Sequence, residues 1–117
     1  MKKVLAVGLG GMAGSLLRAA VFQFAGAGTG LWLANIAGSF FIGMAAARLV
    51  KRSAETRLFI STGLIGSFTS FSAFSADWFH LLESSLLTGM MYALGMTAAS
   101  IVAAAFGLLA GRKGAVE

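Results

Sequence analysis

Gly63-Leu-Ile-Gly-Ser-Phe-Thr-Ser-Phe-Ser-Ala-Phe-Ser75 decides how this chain folds. It lies inside the 19-residue charge-free run from Leu58 to Ala76, long enough to cross a hydrocarbon core of roughly 30 Å. Yet seven of those 19 residues carry hydroxyls, namely Ser61, Thr62, Ser67, Thr69, Ser70, Ser72 and Ser75. Lipid does not need them. Gly63 and Gly66 weaken the helix just ahead of Phe68, Phe71 and Phe74, which recur at every third position. A segment that is poor as a helix, rich in hydroxyls and striped with aromatic rings reads as a pathway or a binding site. Backbone that leaves the helix at membrane depth is tolerated only where protein or a water-filled cavity surrounds it.

The rest of the chain agrees with a membrane setting. Of its 117 residues 58% are apolar and only 11% charged, about half the charge of an ordinary soluble domain. Charges fall at Lys2 and Lys3, at Arg18, from Arg48 to Arg57, at Asp77 and Glu83, and from Arg112 onward. Between them lie apolar segments near 4–25, 31–50, 58–80 and 86–110, each about 20 residues or slightly more. The expectation is an all-α membrane protein: one domain over 1–117, four transmembrane helices, the third broken mid-membrane. The chain has no proline, so glycine and hydroxyl residues must make the break. A single copy would leave the polar groups of residues 61–75 against lipid, so oligomerisation is expected. The small-xxx-small pairs Gly10 with Gly14 and Gly107 with Gly111 permit close helix approach.

The formal charge of +5 reads as basic residues flanking membrane spans, not as a nucleic-acid surface. With no cysteine, disulfides and thiolate metal sites are excluded. Gly8, Gly10 and Ala13 match the spacing of a dinucleotide fingerprint. That motif needs an acid about 20 positions further on, and the first acid is Glu55. His80 stands beside Asp77 and Trp78 at the end of the third span and reads as interfacial. Four acids and one histidine supply no carboxylate pair, metal cluster or activated nucleophile, so an enzyme is not expected.

Arg18 falls about 14 residues into the first span, roughly 21 Å along it, where it either serves a site or snorkels toward an interface. Asn35 offers an amide early in the second span, with Ser39 one turn later on the same face; its plainer role is an interhelical hydrogen bond. The phenylalanine stripe is packing in most helices. Ring edges are electropositive, however, and beside hydroxyl and amide donors they could stabilise a small dehydrated anion.

Three stretches resemble the Fluc (CrcB) fluoride channel family, in order and over nearly the whole chain. Gly10-Gly-Met-Ala-Gly-Ser-Leu-Leu-Arg18 is similar to the family's first-helix motif, and Gly30-Leu-Trp-Leu-Ala-Asn-Ile-Ala-Gly-Ser-Phe-Phe-Ile-Gly43 to its second. The opening stretch, Gly63 to Ser75, resembles the most specific of the three, G-x-x-G-G-x-T-T-F-S-T-F-S. The resemblance implies an antiparallel dimer of four-helix subunits with fluoride pores along the interface. Asn35 would be the pore asparagine, and Phe71 and Phe74 the ring-edge pair, with Phe68 above them and Arg18 near an entrance. Ser70, Ser72 and Ser100 match pore-side hydroxyls. Backbone carbonyls of Gly66 and Thr69 would hold a structural sodium ion. Departures are Leu31, Ser67, Ser70 and Ala73 within the motifs, and Met96 where a hydroxyl is expected one turn before Ser100.

The implied function is passive export of fluoride across the plasma membrane, the inner membrane of a bacterium. An inside-negative potential favours anion exit by roughly 2.3 kcal/mol per 100 mV. A small multidrug-resistance exporter has similar length and helix count, but it needs an acid in the first span, and none precedes Glu55. A non-transporting helper subunit would not need the hydroxyl-rich third span. Lys2, Lys3, Arg48, Lys51, Arg52, Arg57, Arg112 and Lys113 all fall on one side, and the opposite loops hold no lysine or arginine. That bias places both termini in the cytoplasm and points to an oppositely oriented paralogue as dimer partner, with a homodimer forming when the chain is alone. Trp32 and Trp78 fall at the other interface.

Overall fold

The computed structural model describes the backbone of residues 1–116 and the side chains of residues 1–113. Among them every regular element is helical. In chain order these are α1 (Lys2–Ala25), α2 (Ala27–Arg48), α3 (Ala54–Arg57), a π-helical segment (Leu58–Ile65), α4 (Gly66–Phe68), α5 (Phe71–Ser84) and α6 (Leu86–Val116). Four helical stretches are long and apolar enough to span a membrane, the third being the joined run Ala54–Ser84. The turns at one end are single residues, Gly26 and Ser85. Gly26 has φ 87°, a left-handed backbone that glycine adopts without penalty, and this reverses the chain between α1 and α2.

Glycine sets how the helices pair. A Cβ at Gly10 would strike the Phe59 carbonyl, and one at Gly14 the Leu64 carbonyl, so α1 lies backbone-to-backbone on the third span. In the same way a Cβ at Gly43 would strike the Ala104 carbonyl, and one at Gly107 the Phe40 carbonyl, locking α2 to α6. Both small-residue pairs thus work inside one subunit. The reason is that a smooth strip of glycine fits whichever backbone can approach closest, and here that is the chain's own.

The third span is more irregular than sequence alone indicates. Leu58–Ile65 winds as a π-helix, a form found mostly as short insertions at functional sites. Helical hydrogen bonding then resumes for one turn and stops. Thr69 (φ −80°, ψ 160°) and Ser70 (φ −141°, ψ 104°) are extended, and α5 restarts at Phe71. The two halves of the span meet near its middle.

Candidate functional site

The break is held by side chains that take over backbone hydrogen bonds. In an unbroken α-helix the Ser70 N–H would donate to the Gly66 carbonyl; here it donates to Asn35 Oδ1 at 2.8 Å. The Ala73 N–H would donate to the Thr69 carbonyl, and instead it donates to Ser70 Oγ at 3.1 Å. Ser70 is therefore the N-cap of α5, the role for which serine is favoured. Asn35 completes the clamp by donating through Nδ2 to the Ser70 carbonyl at 3.2 Å. Its amide oxygen and one N–H are thus committed to the break, and one N–H remains for a ligand.

Two carbonyls are released by this exchange, and they are those of Gly66 and Thr69. Thr69 Oγ1 bends back toward the Gly66 carbonyl at 3.4 Å and the Ile65 carbonyl at 3.3 Å. Arg18, half-buried on α1, donates from Nη1 to the Thr69 carbonyl at 3.3 Å. Arg18, expected near a pore entrance, is thus placed against the break, and it is not among the residues that line the groove there. The broken span exposes two opposite partial charges at one depth, carbonyl oxygens from its first half and the N-terminus of α5 from its second.

Both open into a groove of about 500 Å³. Asn35 and Ser39 line it from α2; Ser61, Gly66 and Thr69 from the third span; Phe71 and Phe74 from α5; Thr97 and Ser100 from α6. Phe71 is 78% exposed and Phe74 only 8%. Their ring centroids are 5.9 Å apart. Phe74 stacks on Tyr92 (5.5 Å, 14°) and Trp78 (6.0 Å, 25°), contacts that fix the ring's orientation in the groove wall. Ser72 is exposed, with its hydroxyl 3.4 Å from that of buried Ser70.

One sequence expectation needs correction, and one gains detail. Phe68 does not extend the stripe of Phe71 and Phe74, because the two extended residues between them redirect the chain. It lines a separate groove beside Leu17 and Phe41. Ser39 spends its proton within α2, donating to the Asn35 backbone carbonyl at 2.7 Å, and so faces the groove as an acceptor.

Sequence reasoning also missed residues. Met96, which stands where a hydroxyl is expected, is 3% exposed and packed with Leu31 and Phe74; the residue missed is Thr97, which lines the groove one turn before Ser100. The i, i+3 spacing of Thr97 and Ser100 was the available signal. Beside Phe74, Trp78 Nε1 is a buried donor without a hydrogen-bond partner among the described residues, and the buried Tyr92 Oη lies toward Asp77; aromatic residue type alone gives no such warning. His80 is exposed on α5, 3.8 Å from Glu83, an interfacial pair remote from the break.

A family model described as CrcB-like protein, Camphor Resistance (CrcB), matches residues 5–108. Curated relatives bear the name fluoride-specific ion channel FluC. One from Rhizobium meliloti is 38% identical, covering 92% of this chain and 94% of its own. One from Thermotoga maritima is 36% identical over 92% and 93%. A third, FluC 2 of Bacillus licheniformis, is 33% identical over 97% and 89%.

Proposed function

The chain belongs to the CrcB-like family, and from that membership we propose that it is a fluoride channel and not an enzyme. Fluoride passes along the groove at the broken third span, driven out of the cytoplasm by its own gradient and the membrane potential. One observation carries the reading: Asn35 and Ser70 side chains replace two backbone hydrogen bonds, so a helix N-terminus and free donors stand at mid-membrane. Helix N-termini favour anions. Around that point the remaining Asn35 N–H, the Ser100 hydroxyl and the rims of Phe71 and Phe74 replace the water that a small anion must shed; Ser70 and Ser72, expected among the pore hydroxyls, lie at the break and do not line the groove.

The same break suits a cation of another kind. The Gly66 and Thr69 carbonyls are hard oxygen donors without their helical partners. They would hold a structural sodium ion, which supplies charge that binds broken spans together and is not transported. Two carbonyls fill only part of a sodium shell. A second subunit must bring the others.

That second subunit is also required by the groove, which lies open on one side with Phe71 standing out of it. In an antiparallel dimer each subunit covers the polar groups of the other. All eight basic side chains flanking the spans are exposed at one end, and the other end turns on Gly26 and Ser85 alone. This asymmetry supports a fixed orientation, termini in the cytoplasm of the bacterial inner membrane, and an inverted paralogue as partner.

The deciding experiment is fluoride efflux from proteoliposomes with chloride as control. Release of fluoride and retention of chloride are expected, from the chain alone or together with its inverted paralogue. Release of neither ion in both reconstitutions overturns the reading.

A further inference from the structure

A second groove, of about 380 Å³, lies between α1, α2 and the π segment. Leu17, Phe41, Met44, Leu64 and Phe68 form its walls, and Arg48 is the one charged residue on its lining. Gly38 and Ile65 line both grooves, so the two stand back to back across the contact of α2 with the third span. A subunit that covers the polar groups of the first groove approaches from the other side. On the dimer proposed above, on which this inference rests, the second groove is left to the bilayer.

Its dimensions fit one leaflet. From Gly38 at the level of the break to Arg48 is ten residues of α2, about 15 Å at 1.5 Å per residue, half of a hydrocarbon core of roughly 30 Å. Small residues, Gly38 and Ala45, keep the α2 side of the groove open. At the top Arg48 is exposed, and among the described residues no carboxylate lies within ion-pair reach of it. Lys51, Arg52 and Arg57 crowd the same end and are exposed too. An apolar trough one leaflet deep, ending in an unpaired guanidinium at headgroup level, has the chemistry of a phospholipid: alkyl chain below, phosphate above. Arginine holds phosphate by two parallel hydrogen bonds, and basic pockets between spans collect anionic headgroups.

We propose that this groove binds one acyl chain of an anionic phospholipid whose phosphate is held by Arg48. The test uses Phe41→Trp, since Phe41 is half-exposed and lines the groove. The full chain is reconstituted with phosphatidylglycerol or phosphatidylcholine brominated at mid-chain, diluted into unbrominated lipid, and quenching of the added tryptophan is compared with the parent. Phosphatidylglycerol should quench at about fivefold lower mole fraction, the size of one basic side chain at an anionic surface. Arg48→Gln in the same background should abolish the difference. Equal quenching by both lipids overturns the proposal, and so does a preference that survives Arg48→Gln. Quenching by neither means that protein, such as a second copy, covers the groove, which also overturns it. Native mass spectrometry of the unsubstituted chain gives a second measurement: retained phosphatidylglycerol is expected, and its equal retention by Arg48→Gln would defeat the assignment.

Discussion

Phe71 and Phe74 look equivalent in the sequence, and their surroundings separate them. Phe71 stands 78% exposed, while Phe74 is 8% exposed and stacked on Tyr92 and Trp78. Phe71→Ile should therefore cut fluoride flux with little change in the subunit's thermal stability. Phe74→Ile should cut flux and also cost about 1–3 kcal/mol, the range for a disturbed core residue. Efflux and thermal melting of both variants check the split; equal melting shifts would show that the aromatic stack is not what holds Phe74. Asn35→Asp is a harsher change. It sets a carboxylate oxygen where Nδ2 now donates to the Ser70 carbonyl, and it faces the anion with like charge. Flux should vanish and melting temperature should fall, whereas a conducting, stable Asn35→Asp channel would remove Asn35 from the pore. Asn35, Ser70 and the phenylalanine pair were legible as residues of interest from type and spacing. That Asn35 spends half of its side-chain hydrogen-bonding capacity on the break was not, because the partner is backbone 35 positions away.

At the scale of the helix, hydropathy gives the four spans, and glycine with hydroxyl residues marks where the third weakens. The π winding of Leu58–Ile65 leaves no trace, because Ser61, Thr62 and Gly63 interrupt the apolar residues in the middle and too few positions remain to read a period. The segment lies against Gly10 and Gly14 of α1. Gly10→Ala should then disrupt assembly, since its Cβ would enter the Phe59 carbonyl, whereas Gly8→Ala meets nothing within 4 Å. Overpacking of this kind costs about 1–3 kcal/mol, and melting of the two variants in detergent reads the difference; parity would mean that α1 does not seat on the π segment. The proposed sodium ion belongs to the same scale, because the break frees the carbonyls that would hold it. Reconstitution with sodium replaced throughout by a bulky organic cation should lower fluoride flux or dissociate the dimer, and unchanged flux and assembly would leave the released carbonyls to water or to Arg18.

For the whole molecule the decisive quantity is the distribution of charge between its two ends. Lys2, Lys3, Arg48, Lys51, Arg52, Arg57, Arg112 and Lys113 lie at one end, against no lysine or arginine at the other, where Glu83 and His80 are exposed. Short loops with excess basic residues stay in the cytoplasm. A subunit that inserts both ways needs near balance, and this one departs from it by eight residues. The proposed antiparallel dimer nevertheless needs an inverted neighbour to cover the groove, whose polar groups would otherwise face lipid at several kcal/mol each. Both demands are met if a paralogue with the opposite bias fills the inverted position. A reporter fused to the C-terminus should then read the cytoplasmic side for nearly all copies, and co-expression with such a paralogue should raise cellular fluoride resistance above that given by this chain alone. Removing the bias, by Lys51→Gln, Arg52→Gln and Arg57→Gln together, should produce a mixed population and let the chain confer resistance unaided. If the unaltered chain already reads on both sides and gives full resistance alone, the paralogue is unnecessary and the inverted copy is the chain itself.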